Sequence, residues 1–410
     1  MSRRSGLGGG GTPVGGVIAM VNANPYFVDG AQEWLRTGTL KAYETKHAPF
    51  TNRAPGACYI DLPTVARTDL GFSGSFRNPM FVGYTSEGMY VFAARDMGGT
   101  LIYKVGSSLS GVLTTITPAF GTGSVALGAG LAQMGGRVIA VGNGNSSVSP
   151  VARVFGAGFT AGSGIPTSVS LVGVAANSAG TLAVAVSNLG ANTANGIYTS
   201  TDGINWTART GTGGTVAGMT SVHWSPCANA FLIACTSGGF AVNRTVDGFT
   251  QTVSANDALS TGVPVFVSSP TVTLAICDNG IVRRTTDGVT WSVVDLSSIM
   301  GSARNVTFDS ASGRFWFFSG HSPSLTYYST DGVTWVPYFL LRDAAKSWVF
   351  RGVFQVNGNT ILVGVDANSL NSSAESVHVL PTGLLSRSAP DWVGGPALSL
   401  GSTYTFVRIA

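Results

Sequence analysis

Short apolar runs separated by polar, glycine-bearing turns recur along most of this chain. Between residues 305 and 336 the pattern reads "NVTFD", an alternating run; "SASG", a turn; "RFWFFSG", a nearly continuous apolar run; then "LTYYST" and "VTWVPY". Alternation of period two predicts a half-buried strand, and a short apolar run bounded by turns predicts a strand buried on both faces. Four such strands joined by tight turns make a small antiparallel sheet. Because its middle strands are apolar on both sides, as in "AFLIAC" and "VTLAIC", this sheet would leave two apolar surfaces in water. Stacking several such sheets radially around an axis buries both.

The unit repeats. An Asp-Gly pair closes each of four copies, at Asp202, Asp247, Asp287 and Asp331, so the intervals are 45, 40 and 44 residues, the length of one four-stranded propeller blade. The same strand and turn grammar appears without the acid in "FVGYTSEGMYVFAARDMGGTLIYKV", in "GLAQMGGRVIAVGNGN" and in "FRGVFQVNGNTILVGVD". The units fall near 80–117, 129–160, 171–207, 220–252, 265–292, 305–336 and 350–410. The expected fold is all-β: a β-propeller of seven four-stranded blades, with six or eight as the alternatives, and a small N-terminal arm. Residues 1–70 form the arm and 71–410 the propeller. The last unit finds its candidate fourth strand, "TYTFVRI", only after a long polar insertion from about Thr382 to Ser402, which leaves ring closure open.

The recurring acid is a candidate catalytic carboxylate or a turn residue. Asp-Gly between two β-type runs predicts a two-residue type I′ hairpin loop, with Gly taking positive φ and Asp accepting hydrogen bonds from turn amides. The Trp that follows covers the edge of a neighbouring blade. The motif residues are Asp202, Gly203 and Trp206; Asp247 and Gly248; Asp287, Gly288 and Trp291; and Asp331, Gly332 and Trp335. "STDGINW", "TTDGVTW" and "STDGVTW" resemble the Asp-box repeats of sialidases and related propellers, whose pattern is Ser-x-Asp-x-Gly-x-Thr-Trp. The spacing here is one residue shorter, and the copy "TVDGFTQT" lacks the Trp. That resemblance implies outer hairpins away from any central cleft, and so scaffold.

Candidate chemistry is sparse. A sialidase-like hydrolase needs clustered arginines, a Tyr paired with Glu, and an Asp acid. The segment that carries the first such arginine is absent, and Arg77, Arg95 and Arg351 lie in blade-entry strands. The chain has four Glu, at 33, 44, 87 and 375, none beside a plausible partner in sequence. Asp69, Asp96, Asp278, Asp309 and Asp366 sit at turns, where carboxylates cap backbone. His47, His223, His321 and His378 show no metal-ligand spacing, and Cys58, Cys227, Cys235 and Cys277 show no paired spacing and read as core thiols. No catalytic residue, metal or cofactor is expected, and the protein is read as a non-enzyme.

Charge narrows the partners. Only 10% of residues are charged and the net charge is +4, so no basic track for nucleic acid is formed. The surface must be solvated by hydroxyls, amides and backbone. No apolar run reaches the ~18 residues of a membrane-spanning helix. The opening "MSRRSGLGGGGTPVGGVIAMVNA" has the outline of a twin-arginine export signal, but its glycines and Pro13 weaken its apolar middle.

The first seventy residues depart from the blade grammar. "GTPVGG" followed by "EWLRTG" resembles the N-terminal regions of bacteriophage tail and virion proteins, which dock a distal domain on the particle. That resemblance implies a virion structural or receptor-binding protein, of tail-fibre or tail-associated type, assembled in the host cytoplasm. Its arm, through Tyr26, Phe27, Trp34 and Leu35, would attach it to other virion proteins and hold a homo-oligomer, first of all a trimer. The propeller head would present loops to a partner or a host surface glycan. The alternatives are a sialidase-like glycan hydrolase and a carbohydrate-binding surface lectin.

Overall fold

The computed structural model describes most of residues 81–385 apart from connecting stretches, the longest being 121–129, 190–195, 258–263, 319–325 and 367–374. Outside that span it describes strands Val17–Met20, Tyr26–Asp29, Gln32–Thr39, Tyr59–Asp61, Arg67–Asp69 and Tyr404–Arg408. Seven antiparallel four-stranded sheets form the body of the molecule. Blades 1 to 6 each run through consecutive strands, at 81–116, 131–161, 171–209, 219–257, 265–295 and 306–337. In the unit read above strand by strand, the strands are Val306–Asp309, Arg314–Phe318, Thr326–Ser329 and Val336–Pro337.

The first strand of every blade lies against the first strands of both neighbours, and blade 7 meets blade 1 in the same way. The ring is therefore closed, with first strands innermost and fourth strands at the rim. The apolar second strands explain why it holds together. Ala183–Ser187 is buried at every position, as is Thr273–Ile276, because each such strand is covered by a blade on either side. One cluster joins Ile139 and Val151 of blade 2 to Leu171, Ala185 and Tyr198 of blade 3. Another joins Leu274 and Ile276 of blade 5 to Phe315 and Phe317 of blade 6. Cys235 and Cys277 are free thiols buried in these layers.

Closure differs from the reading of the sequence. Blade 7 takes three strands from the C-terminal part of the chain, Trp348–Val356, Asn359–Asp366 and Glu375–Leu380, and its outer strand is Arg67–Asp69. The pairing is antiparallel, Ser376 with Asp69 and His378 with Arg67. The ring is thus clasped by chain from before blade 1, inside the segment assigned above to the arm. Tyr404–Arg408 pairs instead with Val17–Met20 on one side and with Gln32–Thr39 on the other, completing a separate four-stranded sheet with Tyr26–Asp29. The physical reason is that a blade needs one more strand and the hydrogen bonds do not care where along the chain it comes from. Tyr59–Asp61 pairs in parallel with Leu340–Arg342, between blades 6 and 7.

Candidate functional site

The four Asp-Gly turns share one hydrogen-bond scheme. In blade 6 the Ser329 hydroxyl donates to Asp331 Oδ1 at 3.0 Å, and the amides of Val333 and Thr334 donate to the same oxygen at 2.8 Å. The Gly332 amide donates back to Ser329 Oγ at 2.8 Å. Blade 5 repeats this with Thr285, Asp287, Val289 and Thr290. Blade 4 uses Thr245 and Asp247, and blade 3 uses Ser200 and Asp202. Blade 3 adds a bond from Asn205 Nδ2 to Asp202 Oδ2 at 2.7 Å.

These are not two-residue type I′ loops. In blade 3 the last paired residues are Thr199 and Thr207, so seven residues, 200–206, lie between them. Gly203 has φ +75°, and Asn229 and Asn357 are the described non-glycine residues with positive φ, so no turn aspartate adopts it. A type I′ turn requires positive φ at both central residues. Here the carboxylate replaces the backbone bond that would close a shorter loop, and the turn widens. Asn357-Gly358, with φ +48° and +74° between the paired Val356 and Asn359, is the hairpin that does take that form.

The wider turn docks on the preceding blade. A methyl group added at Gly203 would lie 2.9 Å from Ile139 of blade 2, at Gly248 2.8 Å from Val184 of blade 3, at Gly288 2.7 Å from Ala228 of blade 4, and at Gly332 2.5 Å from Leu274 of blade 5. Glycine is required twice over, by its φ and by this contact. Backbone joins in: the Ser163 amide of blade 2 donates to Ile204 O and Trp206 N donates to Ser163 O. Arg284 Nε of blade 5 donates to the Asp331 carbonyl at 2.8 Å. Trp206 packs with blade 2 residues, Trp291 with Leu232 and Phe240 of blade 4, and Trp335 with Leu274 of blade 5. Trp291 Nε1 also donates to Ser254 Oγ at 2.7 Å. All four turns join third to fourth strands, at the rim and away from the axis.

Their electrostatics follow from the same bonds. Partial burial opposes ionisation of Asp202, but the amides of Ile204 and Asn205, with Asn205 and Ser200 side chains, hold its carboxyl at about 2. The amides of Thr290 and Val289 hold the Asp287 carboxyl below the usual range. For Asp247 and Asp331, burial raises and amide and hydroxyl donors more than offset it. A carboxylate so occupied is ionised at neutral pH and has no proton to give, whereas a glycosidase acid needs a raised pKa.

The remaining candidates are spread around the ring. Arg77, Asp96, Asp278, His47 and His321 lie outside the described residues. Arg95 ends the second strand of blade 1, opposite Leu101, and Arg351 sits at the register shift in the first strand of blade 7. Glu87 is in the first turn of blade 1, bonded by Ser86 and 4.0 Å from Arg153. Asp309, 1% exposed, accepts from the amides of Ala311 and Ser312, capping its own turn. Tyr26 and Phe27 are register partners of Leu35 and Trp34 in the separate sheet. No group of three or more metal-ligating side chains occurs among the described residues.

The sequence reading missed a set of polar brackets between inner strands. Gln133 of blade 2 bonds both the amide and the carbonyl of Tyr84 of blade 1. Gln355 of blade 7 donates to Asp309 of blade 6. Most extended is a chain of side chains between blades 4 and 5. His223 Nε2 lies 2.7 Å from Ser268 Oγ, Ser268 the same distance from Thr273 Oγ1, and Thr273 the same from Ser225 Oγ. Cys227 Sγ is 3.3 Å from both Ser225 and Thr273. His223 stacks on Phe266 at 5.6 Å and 18°, and burial pushes its pKa down to about 4, so the ring is neutral at physiological pH. The signal was present as spacing: these partners stand 45 to 49 residues apart, one blade period.

No protein-family model matches the chain, and no curated protein matches it. Solved structures do. The chain is similar to YCF48 bound to D1 peptide, at 12% identity and a TM-score of 0.50, over 80% of this chain and 100% of that one. It is similar to YCF48 from Cyanidioschyzon merolae at 14% identity and a TM-score of 0.48, over 77% and 99%. It is also similar to a mutant of Trypanosoma rangeli sialidase displaying trans-sialidase activity, at 10% identity and a TM-score of 0.47, over 80% of this chain and 61% of that one. Likeness at such identities concerns the fold alone, and the fold is a β-propeller.

Proposed function

We propose that this chain is a non-catalytic propeller head of a tailed-bacteriophage virion, of tail-fibre or tail-associated type, attached through its N-terminal strands and presenting its ring to a host surface glycan. The observation that carries the reading is the accessory sheet. Strands at 17–39 and the strand at 404–408 pair with one another and not with any blade, so segments from before and after the ring are gathered in one separate sheet. A module of this kind is free to pair with other virion proteins or with further copies of the chain, and closed cyclic symmetry, here a trimer, is the usual outcome of such contacts.

The head supports the non-catalytic part of the reading through its turns. The repeated carboxylates, Asp-box-like in sequence, each commit one oxygen to the amides of their own turn and sit at the rim. A weak glycan contact suffices on a particle that carries several copies. The test is incubation of the purified full-length protein with fluorogenic sialosides and neutral glycosides. No release above the protein-free rate is expected; steady turnover abolished by one carboxylate substitution would replace this reading with a glycan hydrolase.

A further inference from the structure

We infer that the junction between blades 4 and 5 is an acid-sensitive seam, where His223 bridges the inner strands of the two blades while its ring is neutral and releases them when it takes up a proton. The seam is a property of the ring of blades and does not depend on what the head binds.

The inner edge of this junction is held differently from its neighbours. Between blades 3 and 4, one apolar cluster takes in Val172 and Val184 of blade 3 together with Met219 and Val222 from the first strand of blade 4. Between blades 5 and 6, another takes in Val267 and Val306 from both first strands. Between blades 4 and 5 the buried cluster consists of Leu232, Phe240, Val242, Ala275 and Cys277, and the first strand of blade 4, Met219–Ser225, adds no residue to it. Polar groups take its place. From Ser221 to Ser225 that strand pairs in regular register with the second, so Ser221, His223 and Ser225 share a face. Ser225 and His223 reach blade 5 through Thr273 and Ser268, whereas the buried Ser221 hydroxyl has no hydrogen-bond partner.

This file of side chains suits a neutral imidazole and not a cation. Ser268 Oγ lies 2.7 Å from both His223 Nε2 and Thr273 Oγ1, so Nε2 can accept from Ser268 or donate to it, and the hydroxyls behind turn to match. An imidazolium carries a donor on each nitrogen. The ring makes its hydrogen bond at Nε2, and Nδ1 has no acceptor among the described residues. Nothing nearby balances the charge. The strands around His223 are Ala230–Thr236, which places Leu232 opposite it, and Val265–Ser268 and Thr273–Ile276 of blade 5. None of them carries a charged residue, and the titratable groups on them or beside them are the thiols of Cys227, Cys235 and Cys277. Stacking on Phe266 at 5.6 Å returns part of the hydration a cation loses, yet burial still brings the ring down from 6.5 to about 4. A closed junction therefore refuses a proton that an open one accepts. Closure is at full strength above pH 6.5, weakens by about tenfold per pH unit from there to about 4, and changes no further below. The turn aspartates, held below the usual carboxylate range, act at lower pH than this window.

Buried free thiols report on neighbouring seams: Cys277 belongs to the cluster between blades 4 and 5, and Cys235 to the one between blades 3 and 4. The test treats the full-length protein with dithiodipyridine, which reacts with thiols even in acid, at a series of pH values from 6.5 down to about 4, and follows labelling site by site by peptide mass. The rate at Cys277 relative to Cys235 should climb by up to about 300-fold across that window. His223→Gln, which keeps a partner for Ser268 but takes up no proton, should flatten the climb. A flat ratio in the wild type, an equal climb in His223→Gln, or both thiols rising together would overturn the inference. If His223→Gln fails to fold, the ring nitrogen resonances of His223 in the wild type decide: a midpoint at about 4 is expected, and one at the ordinary 6.5 contradicts the seam.

Discussion

At the scale of single residues, the turn aspartates are acids in name and hydrogen-bond acceptors in practice. Each gathers two amides and a hydroxyl on one oxygen, so its contribution to stability depends on ionisation. A folded pKa depressed to about 2 at Asp202, against roughly 4 in an unfolded chain, gives stability that is complete above pH 4 and lost as pH falls through 2. The melting temperature of the wild type should therefore fall over that window, and Asp202→Asn should flatten the fall; an equal slope in both would refute the link. Asp331→Ala should cost about 1–2 kcal/mol, the scale of a lost cap or charged hydrogen bond, with glycan binding unchanged. Gly332→Ala should cost more than the about 1–3 kcal/mol of overpacking alone, because it adds a strained φ to a contact with Leu274. Urea denaturation of the two variants measures both, and an innocuous Gly332→Ala would mean the turn does not dock on blade 5.

At the scale of elements, what decided legibility was local pattern. The blades were readable because their middle strands, such as Arg314–Phe318 and Ala230–Thr236, are apolar runs between glycine-bearing turns. The clasp was not. Arg67–Asp69 is three residues long and wholly polar, so nothing in it announces a strand, whereas Tyr404–Arg408 has the look of one and follows blade 7 in the chain. The aspartate turns were legible as turns but not in type, since the choice between a two-residue loop and a seven-residue one is made by contact with the preceding blade. The His223 file was hidden because its members belong to different blades. A truncation series tests the clasp. Removing residues 1–70 deletes the outer strand of blade 7 and should expose to fast hydrogen exchange those amides of Ser376–His378 that face it, while removing 1–40 together with 404–410 should leave them protected. Equal protection in both truncations would show that Arg67–Asp69 does not close the ring.

At the scale of the whole molecule, a closed ring with its own core needs no partner, and the accessory sheet is hydrogen-bonded to none of its blades. Its strands pair with one another, Val17 with Val407 and Leu35 with Val407 on the other side, so one truncation can remove the whole sheet. The proposed attachment can therefore be tested apart from the ring. For the proposed virion role the decisive measurement is incorporation into purified particles, assayed by immunoblot, after supplying either the full chain or a variant lacking 1–40 and 404–410 in trans to phage particles assembled without it. The full chain should be found in particles, and the truncated chain should stay in the soluble fraction as a folded monomeric ring. Truncated chain in particles at the full-length level, or a full chain that never enters them, would contradict the proposed attachment.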